Sequence, residues 1–505
     1  MLNHILIVFS PANLSALSIG VIVGLIIGAL PGLGAYVGIA LLIPLTFVMD
    51  PTASILLLSG LYAAGIYGGS IVAVLLRVPG TSASAATAMD GYELSIRGKP
   101  RAAVGMATFS SVTGGVFSGI ILLTLAPLLA RVATMFGPPE YFLMAIFGLT
   151  AIGSISTGNI LRGLISGFAG LFFSTIGIDL HSGFFRFSFG FRPLEAGLGL
   201  VPAMIGLFAF SQALVLSEDP EKGVIPGGTE KISWNIWPRF GEIREVGLVT
   251  FVRSYLIGTI VGILPGAGAN IAQWISYGEA KRSEKDDLDS DGALLRGVAS
   301  AEAANNATTG SSLVPLFVFG IPGSESAAIL LGALMIHGLV PGMRLFTKQA
   351  DIVYPIFWGF ILANILMAVF ASFLSRVMIN VVRVPKAILI PCILSLCVIG
   401  AYTITNSMFQ VWAMTGFGIL GYLMRKTNFV PAAMLLGIIL GPIAEDGFRS
   451  SLTMADTFLL FYFLKRPLSL TILAMIAAVI VFVIRREIKR SRAEKPTTRN
   501  AVNTQ

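Results

Sequence analysis

Glu302, Asn305, Asn306, Thr308 and Thr309 stand close together in AEAANNATTGSS, inside a run otherwise suited to an apolar helix. Hard cations take oxygen ligands, and carboxylate, amide and hydroxyl oxygens beside a broken helix are where transporters hold a coupling ion such as sodium. The same residue types also make hydrogen bonds between packed membrane helices, and both readings stand at this level. Glu325 joins the set as a coupling-ion candidate. It opens the apolar stretch SAAILLGALMI, and an acidic group at membrane depth is a functional candidate by default.

A second kind of chemistry is offered by the backbone. Pro31 and Pro265 each end an apolar run and are followed by Gly-x-Gly, namely Gly32 and Gly34, then Gly266 and Gly268. Proline removes a donor and glycine permits φ > 0, so a helix must stop there. Arg253 and Glu279 bound the second of these runs, leaving each arm short of the roughly 20 residues a crossing needs. PGAGA, and by symmetry PGLGA, therefore read as the tip of a broken helix or a re-entrant hairpin. Such a tip points free amides and a partial positive charge at a carboxylate or other anion. The alternative is a plain tight turn at the membrane surface. Pro79, Gly80, Thr81 and Ser82, and later Pro322, Gly323, Ser324 and Glu325, form another pair of breaks whose hydroxyls fall on the first turn of a new helix, to cap it or to meet a ligand. With Asn270 and Gln273 on the arm after Pro265, these residues, Glu325 apart, make up the candidate substrate site.

The elements that must position these groups follow from composition. Of 505 residues, 55% are hydrophobic and 12% charged, against roughly 25% charged in an ordinary soluble domain. So little charge cannot cover a water-facing surface, and the expectation is an all-α polytopic membrane protein of ten to twelve helices, at about 20 residues each. The polar stretch 217–246 separates residues 1–216 from 247–484, and these halves resemble each other. GLIIGALPGLGA at 24–35 and GTIVGILPGAGA at 258–269 agree at eight of twelve positions. VPGTSASAA at 78–86 is answered by IPGSESAAI at 321–329, and IRGKPR at 96–101 by IHGLVPGMR at 336–344, in the same order. Small residues recur in any packed membrane helix, which explains one GxxxG but not this ordered series. A duplication is expected, with halves inverted with respect to each other as in secondary transporters.

Residues 485–505 form a basic tail. Its first fifteen residues hold seven basic and two acidic side chains directly after the last apolar run, which places it in the cytoplasm by the positive-inside rule. It has no aromatic residues to stack on bases, so no nucleic-acid partner is expected. MLNHILIVFS lacks Lys, Arg and a small-residue cleavage site and does not read as a secretory signal. Cys392 and Cys397 sit in one apolar run as core thiols, no metal ligand set is evident, and GxSxG, HExxH and phosphate-loop signatures are missing, so neither a cofactor nor ATP is expected. Basic groups at Arg425, Lys426, Lys465 and Arg466 recur at turns and do not fit one simple alternation of crossings.

Taken together, the duplicated PGLGA and PGAGA, MDGYELSIRGKPRAAVGMA at 89–107, FGIPGSESAA at 319–328 and GPIAEDGFRSSL at 441–452 resemble the TctA family, the large membrane subunit of tripartite tricarboxylate transporters. The resemblance spans about residues 14 to 465. It implies a bacterial inner-membrane permease working with a small TctB-type membrane subunit and a TctC-type periplasmic binding protein. It further implies secondary import of di- and tricarboxylates such as citrate, driven by a sodium or proton gradient. Residue by residue it reaches Pro31, Gly32, Gly34, Pro79, Gly80, Pro265, Gly266, Gly268, Pro322 and Gly323. Likeness to other binding-protein-dependent transporters also suggests an elevator-like movement. The rivals are an anion transporter or channel needing no binding protein, and a membrane-embedded enzyme on lipid-linked substrates. The second would draw on Glu445 and Asp446, which otherwise read as a helix-end ion pair with Arg449.

Overall fold

The computed structural model describes residues 2–155, 160–179, 181–218, 236–264, 268–283, 290–381, 384–455 and 459–493, and nearly all of them are helical. Strand is confined, among the described residues, to a two-residue antiparallel pair, Gly177–Ile178 with Phe185–Arg186. Among the described residues, seven helices are long and apolar enough to cross a membrane, or eight if the bent pair Phe240–Val246 and Leu248–Ile263 counts as one. The chain is a multi-pass all-α membrane protein, and its described residues hold fewer full-length crossings than the ten to twelve expected. The difference lies in the breaks: apolar runs that would suffice by length are divided into shorter helices such as Ala35–Thr46 and Glu325–Ile336.

The four breaks repeat in conformation as well as in sequence. The helix Pro11–Ala29 stops at Leu30, and Leu248–Ile263 stops at Leu264, both in extended geometry (φ −76°, ψ 117° and φ −73°, ψ 121°). Gly32 then takes φ +83°, while Gly268 opens the next helix at φ +54°. Pro265, Gly266 and Ala267 lie outside the described residues. The other pair matches again. Pro51–Leu76 closes on Arg77 and Asp291–Phe319 on Gly320, each left-handed (φ 56° and 70°), each donating its amide four residues back, to Ala73 and Leu316. A left-handed cap followed by proline cannot continue as helix.

Packing divides the chain into two units, residues 1–135 with 173–427, and residues 136–172 with 428–505. In the first, the GxxxG spacing holds a broken helix against a long one. A Cβ on Gly24 would stand 2.6 Å from the Leu61 carbonyl, and one on Gly28 would overlap that of Gly65, so Pro11–Ala29 lies backbone to backbone on Pro51–Leu76. Gly258 and Gly262 do the same against Ala304 and Thr308, seating Leu248–Ile263 on Asp291–Phe319. Gly28→Val is therefore expected to cost about 1–3 kcal/mol by overpacking, read as a lower unfolding temperature in detergent.

Leu248–Ile263 and Gly268–Ser283 form a hairpin, joined away from its tip by Arg253 to Glu279 (3.1 Å) and Ser276 to Ser254 (2.8 Å). The described part of the polar connector is held down too. Ile236 is fully buried, and Arg101 donates to the Trp237 carbonyl at 2.8 Å and pairs with Glu242. The basic tail begins as a continuation of the helix Pro467–Ala493, and residues 494–505 lie outside the described ones.

In the second unit, Pro138–Ile155 packs on Pro431–Met454 and Pro467–Ala493. Glu140, fully buried, accepts from Arg466 Nε (2.7 Å) and Nη2 (2.9 Å), Ser469 Oγ (2.6 Å) and the Gly137 amide (2.8 Å). Glu445 pairs with Arg449 at 2.7 Å as expected, although inside Pro431–Met454 rather than at its end. Cys392 is exposed and Cys397 buried, both free thiols.

Candidate functional site

The second pair of breaks folds back onto the first. Gly80 donates its amide to Gly69 (3.3 Å), and a Cβ on it would run into the Gly28 carbonyl and come within 2.7 Å of the Gly69 Cα. Gly323 sits in the corresponding place. Its missing Cβ would meet the Gly262 carbonyl at 2.6 Å and the Ser312 Cβ at 2.7 Å. Only a residue without a side chain lets these loops reach the last turn of the broken helix.

Side chains then cross from one half of the sequence to the other. Ser82 Oγ donates to Asn270 Oδ1 (2.8 Å); Gln273 Nε2 donates to the Ser82 carbonyl (2.6 Å), while its Oε1 accepts the Ala86 amide (3.0 Å). In the other direction, the buried Tyr62 hydroxyl bonds to Ser312 Oγ and Ser324 Oγ, both at 3.0 Å. The hydroxyls divide between the two roles open to them. Ser324 caps its helix by accepting the Ala327 amide (3.2 Å), Ser82 reaches Asn270, and Thr81 Oγ1 is buried without a partner among the described residues. Gly268 stands beside the fourth break, since a Cβ on it would lie 3.6 Å from the Gly323 carbonyl. Pro322 and Gly323 are buried, Pro31 is half-buried, and Gly32 is exposed.

The coupling-ion candidates separate. Glu302 is fully buried in Asp291–Phe319, and its carboxylate accepts from three hydroxyls on three other helices: Ser70 at 2.6 Å, Ser111 at 2.6 Å, and Thr87. No basic side chain bonds to it among the described residues. Asn305 and Asn306 are fully buried, and neither carboxamide has a hydrogen-bond partner among the described residues. Buried polar groups of that kind call for a ligand, an ion or water. Thr308 and Thr309 spend their hydroxyls on backbone carbonyls, Thr308 on Ala304 (2.8 Å) and Gly258 (3.2 Å), Thr309 on Asn306 (2.6 Å). Glu325 stands elsewhere, within electrostatic reach of Arg425 and Tyr36. Tyr62, Ser70, Thr87, Ser111 and Arg425 were not read as site residues in the sequence. The only local signal is polar types inside apolar runs, which many packed helices share.

Broken helices meeting from two halves of a multi-pass chain, around buried polar groups, define a membrane transporter. Residues 14–436 match the tripartite tricarboxylate transporter TctA family, and the chain belongs to that family, one of transporters and not of enzymes. It is similar to an Agrobacterium vitis protein named "Uncharacterized 52.8 kDa protein in TAR-I ttuC' 3'region", 33% identical over 490 residues, covering 96% of this chain and 95% of the relative. A second relative from the same organism, "Uncharacterized protein in TAR-II ttuC' 3'region", is 33% identical over 202 residues, 39% of this chain and 82% of its own. No solved structure matches this chain.

Proposed function

We propose that this protein is the large permease subunit of a binding-protein-dependent secondary transporter that imports di- or tricarboxylates with sodium or protons. It would act in the bacterial inner membrane, with its C-terminus in the cytoplasm, beside a TctB-type membrane subunit and a TctC-type periplasmic binding protein. The two halves, 1–216 and 247–484, are taken as inverted repeats, and access alternates around the site between their breaks. One observation carries the reading: the 79–82 loop is clamped by Asn270 and Gln273 of the other half, and Ser324 by Tyr62, so each half holds the other's break. Such a joint can carry substrate only if the halves move relative to each other. Glu302 supports the coupling role, as a buried acid held by hydroxyls alone.

The test is uptake of citrate by vesicles containing the complex, with and without the binding protein, under imposed sodium or pH gradients. Gly32→Val is expected to insert normally, because Gly32 is exposed and a Cβ there would meet only side-chain ends, Gln212 Nε2 at 3.3 Å and Leu216 Cδ2 at 3.8 Å. A branched residue at φ +83° is strained by roughly 1–2 kcal/mol and displaces the tip backbone from its place. Uptake should fall at least tenfold with the amount of inserted protein unchanged. Intact uptake would remove the first tip from the site.

A further inference from the structure

A carboxylate needs more than amide dipoles to leave water, and a formal cation stands at the first break. Arg425 lies in the last turn of Met408–Lys426, half-buried, with Nε donating to Ser211 Oγ (3.3 Å) and its guanidinium 5.8 Å from the Tyr36 ring centre. The neighbouring Lys426 pairs with Glu218, whereas Arg425 makes no ion pair among the described residues. Tyr36 is the second residue of Ala35–Thr46, the helix that starts at the PGLG break, and Gly34 caps that helix with no side-chain hydrogen bond.

Beside Ser211, Gln212 is only 6% exposed, and its side chain has no hydrogen-bond partner among the described residues. Its Nε2 points at the break, 3.3 Å from where a Cβ on Gly32 would be. A helix start without a side-chain cap, a guanidinium without an ion pair among the described residues and a carboxamide aimed at Gly32 thus gather at one break. The uncharged side chains that close on the other breaks, Tyr62, Asn270 and Gln273, offer no such charge. Glu325 begins the helix Glu325–Ile336, which packs against Ala35–Thr46 and brings a carboxylate of the protein's own within electrostatic reach of the same arginine.

We propose that Arg425 and the Gln212 carboxamide receive a substrate carboxylate at the Pro31–Gly34 break, and that Glu325 competes with it as an intramolecular carboxylate. Arginine matches a carboxylate with two parallel N–H donors, which lysine cannot reproduce. Loading then sets a substrate carboxylate on Arg425 against the nearby charge of Glu325. The inference rests on the permease reading and assigns the cation within it.

Citrate uptake by the full complex in vesicles tests the assignment, with KM and maximal rate measured separately for Arg425→Gln, Arg425→Lys, Gln212→Ala and Glu325→Gln. Loss of a charged hydrogen bond predicts a KM raised roughly ten- to a hundredfold in Arg425→Gln. The rise should be smaller in Arg425→Lys and Gln212→Ala, and ligand-free unfolding temperatures should stay close to the wild type. Glu325→Gln should lower KM. Citrate should also raise the unfolding temperature of the wild type in detergent but not that of Arg425→Gln. An unchanged KM in Arg425→Gln overturns the assignment; if that variant fails to fold, unchanged KM in both Arg425→Lys and Gln212→Ala does so. A KM in Glu325→Gln equal to or above the wild type overturns the competition. A wild-type complex that takes up no carboxylate at all would overturn the permease reading itself.

Discussion

Glu302→Gln is expected to leave a folded protein whose carboxylate uptake no longer responds to an imposed ion gradient, falling by about a hundredfold or more. Glutamine keeps one acceptor oxygen for the hydroxyls of Ser70, Thr87 and Ser111, so the buried network retains most of its bonds. What it loses is the negative charge that a proton or a sodium ion would neutralise, and with it the link between ion and substrate. Glu302→Ala should differ in kind. It strips the acceptor from three hydroxyls in a fully buried place, each loss costing about 1–3 kcal/mol before the hydroxyls turn to nearby carbonyls. Thermal unfolding of both variants in detergent, beside gradient-driven uptake in vesicles, separates coupling from stability. Gradient-dependent uptake in Glu302→Gln at the wild-type rate would take Glu302 out of the coupling path.

Arg466→Ala is expected to be among the most destabilising single changes in the second unit, by about 3–5 kcal/mol. Glu140 has no exposure to solvent, and Arg466 supplies two of its four hydrogen bonds and its counter-charge. Removing the arginine leaves the carboxylate buried with only Ser469 and Gly137 as donors. The double change Glu140→Leu with Arg466→Met should be milder, because it removes both charges together and refills the space. Unfolding temperatures of the single and double variants check this; a single variant as stable as the wild type would show that water reaches Glu140.

Much of the candidate site's geometry was legible where it depends on the backbone. Pro31, Gly32, Pro79, Gly80, Pro322 and Gly323 mark helix breaks because a missing N–H, a tolerated positive φ at Gly32 and the lack of a Cβ at Gly80 and Gly323 are properties of the residue itself. The matched halves could be read for the same reason, since equal local rules gave equal geometry, Leu30 with Leu264 and Arg77 with Gly320. Crossing number was less legible. An apolar run measures how much chain suits lipid, and Ala35–Thr46 and Glu325–Ile336 satisfy that measure while being too short to span.

Sequence alone determined, then, that this chain lives in a membrane, that it is a TctA-type transporter subunit, and where its helices stop. Tertiary structure decided which polar side chains serve one another. Glu302 draws its hydroxyls from positions 70, 87 and 111, Ser324 meets Tyr62, and Arg425 comes to Tyr36 and Ser211 across long stretches of chain. A helix break is settled by a few consecutive residues. A hydrogen-bond partner two hundred residues away is settled only when glycine faces such as Gly24 and Gly258 bring whole helices into backbone contact.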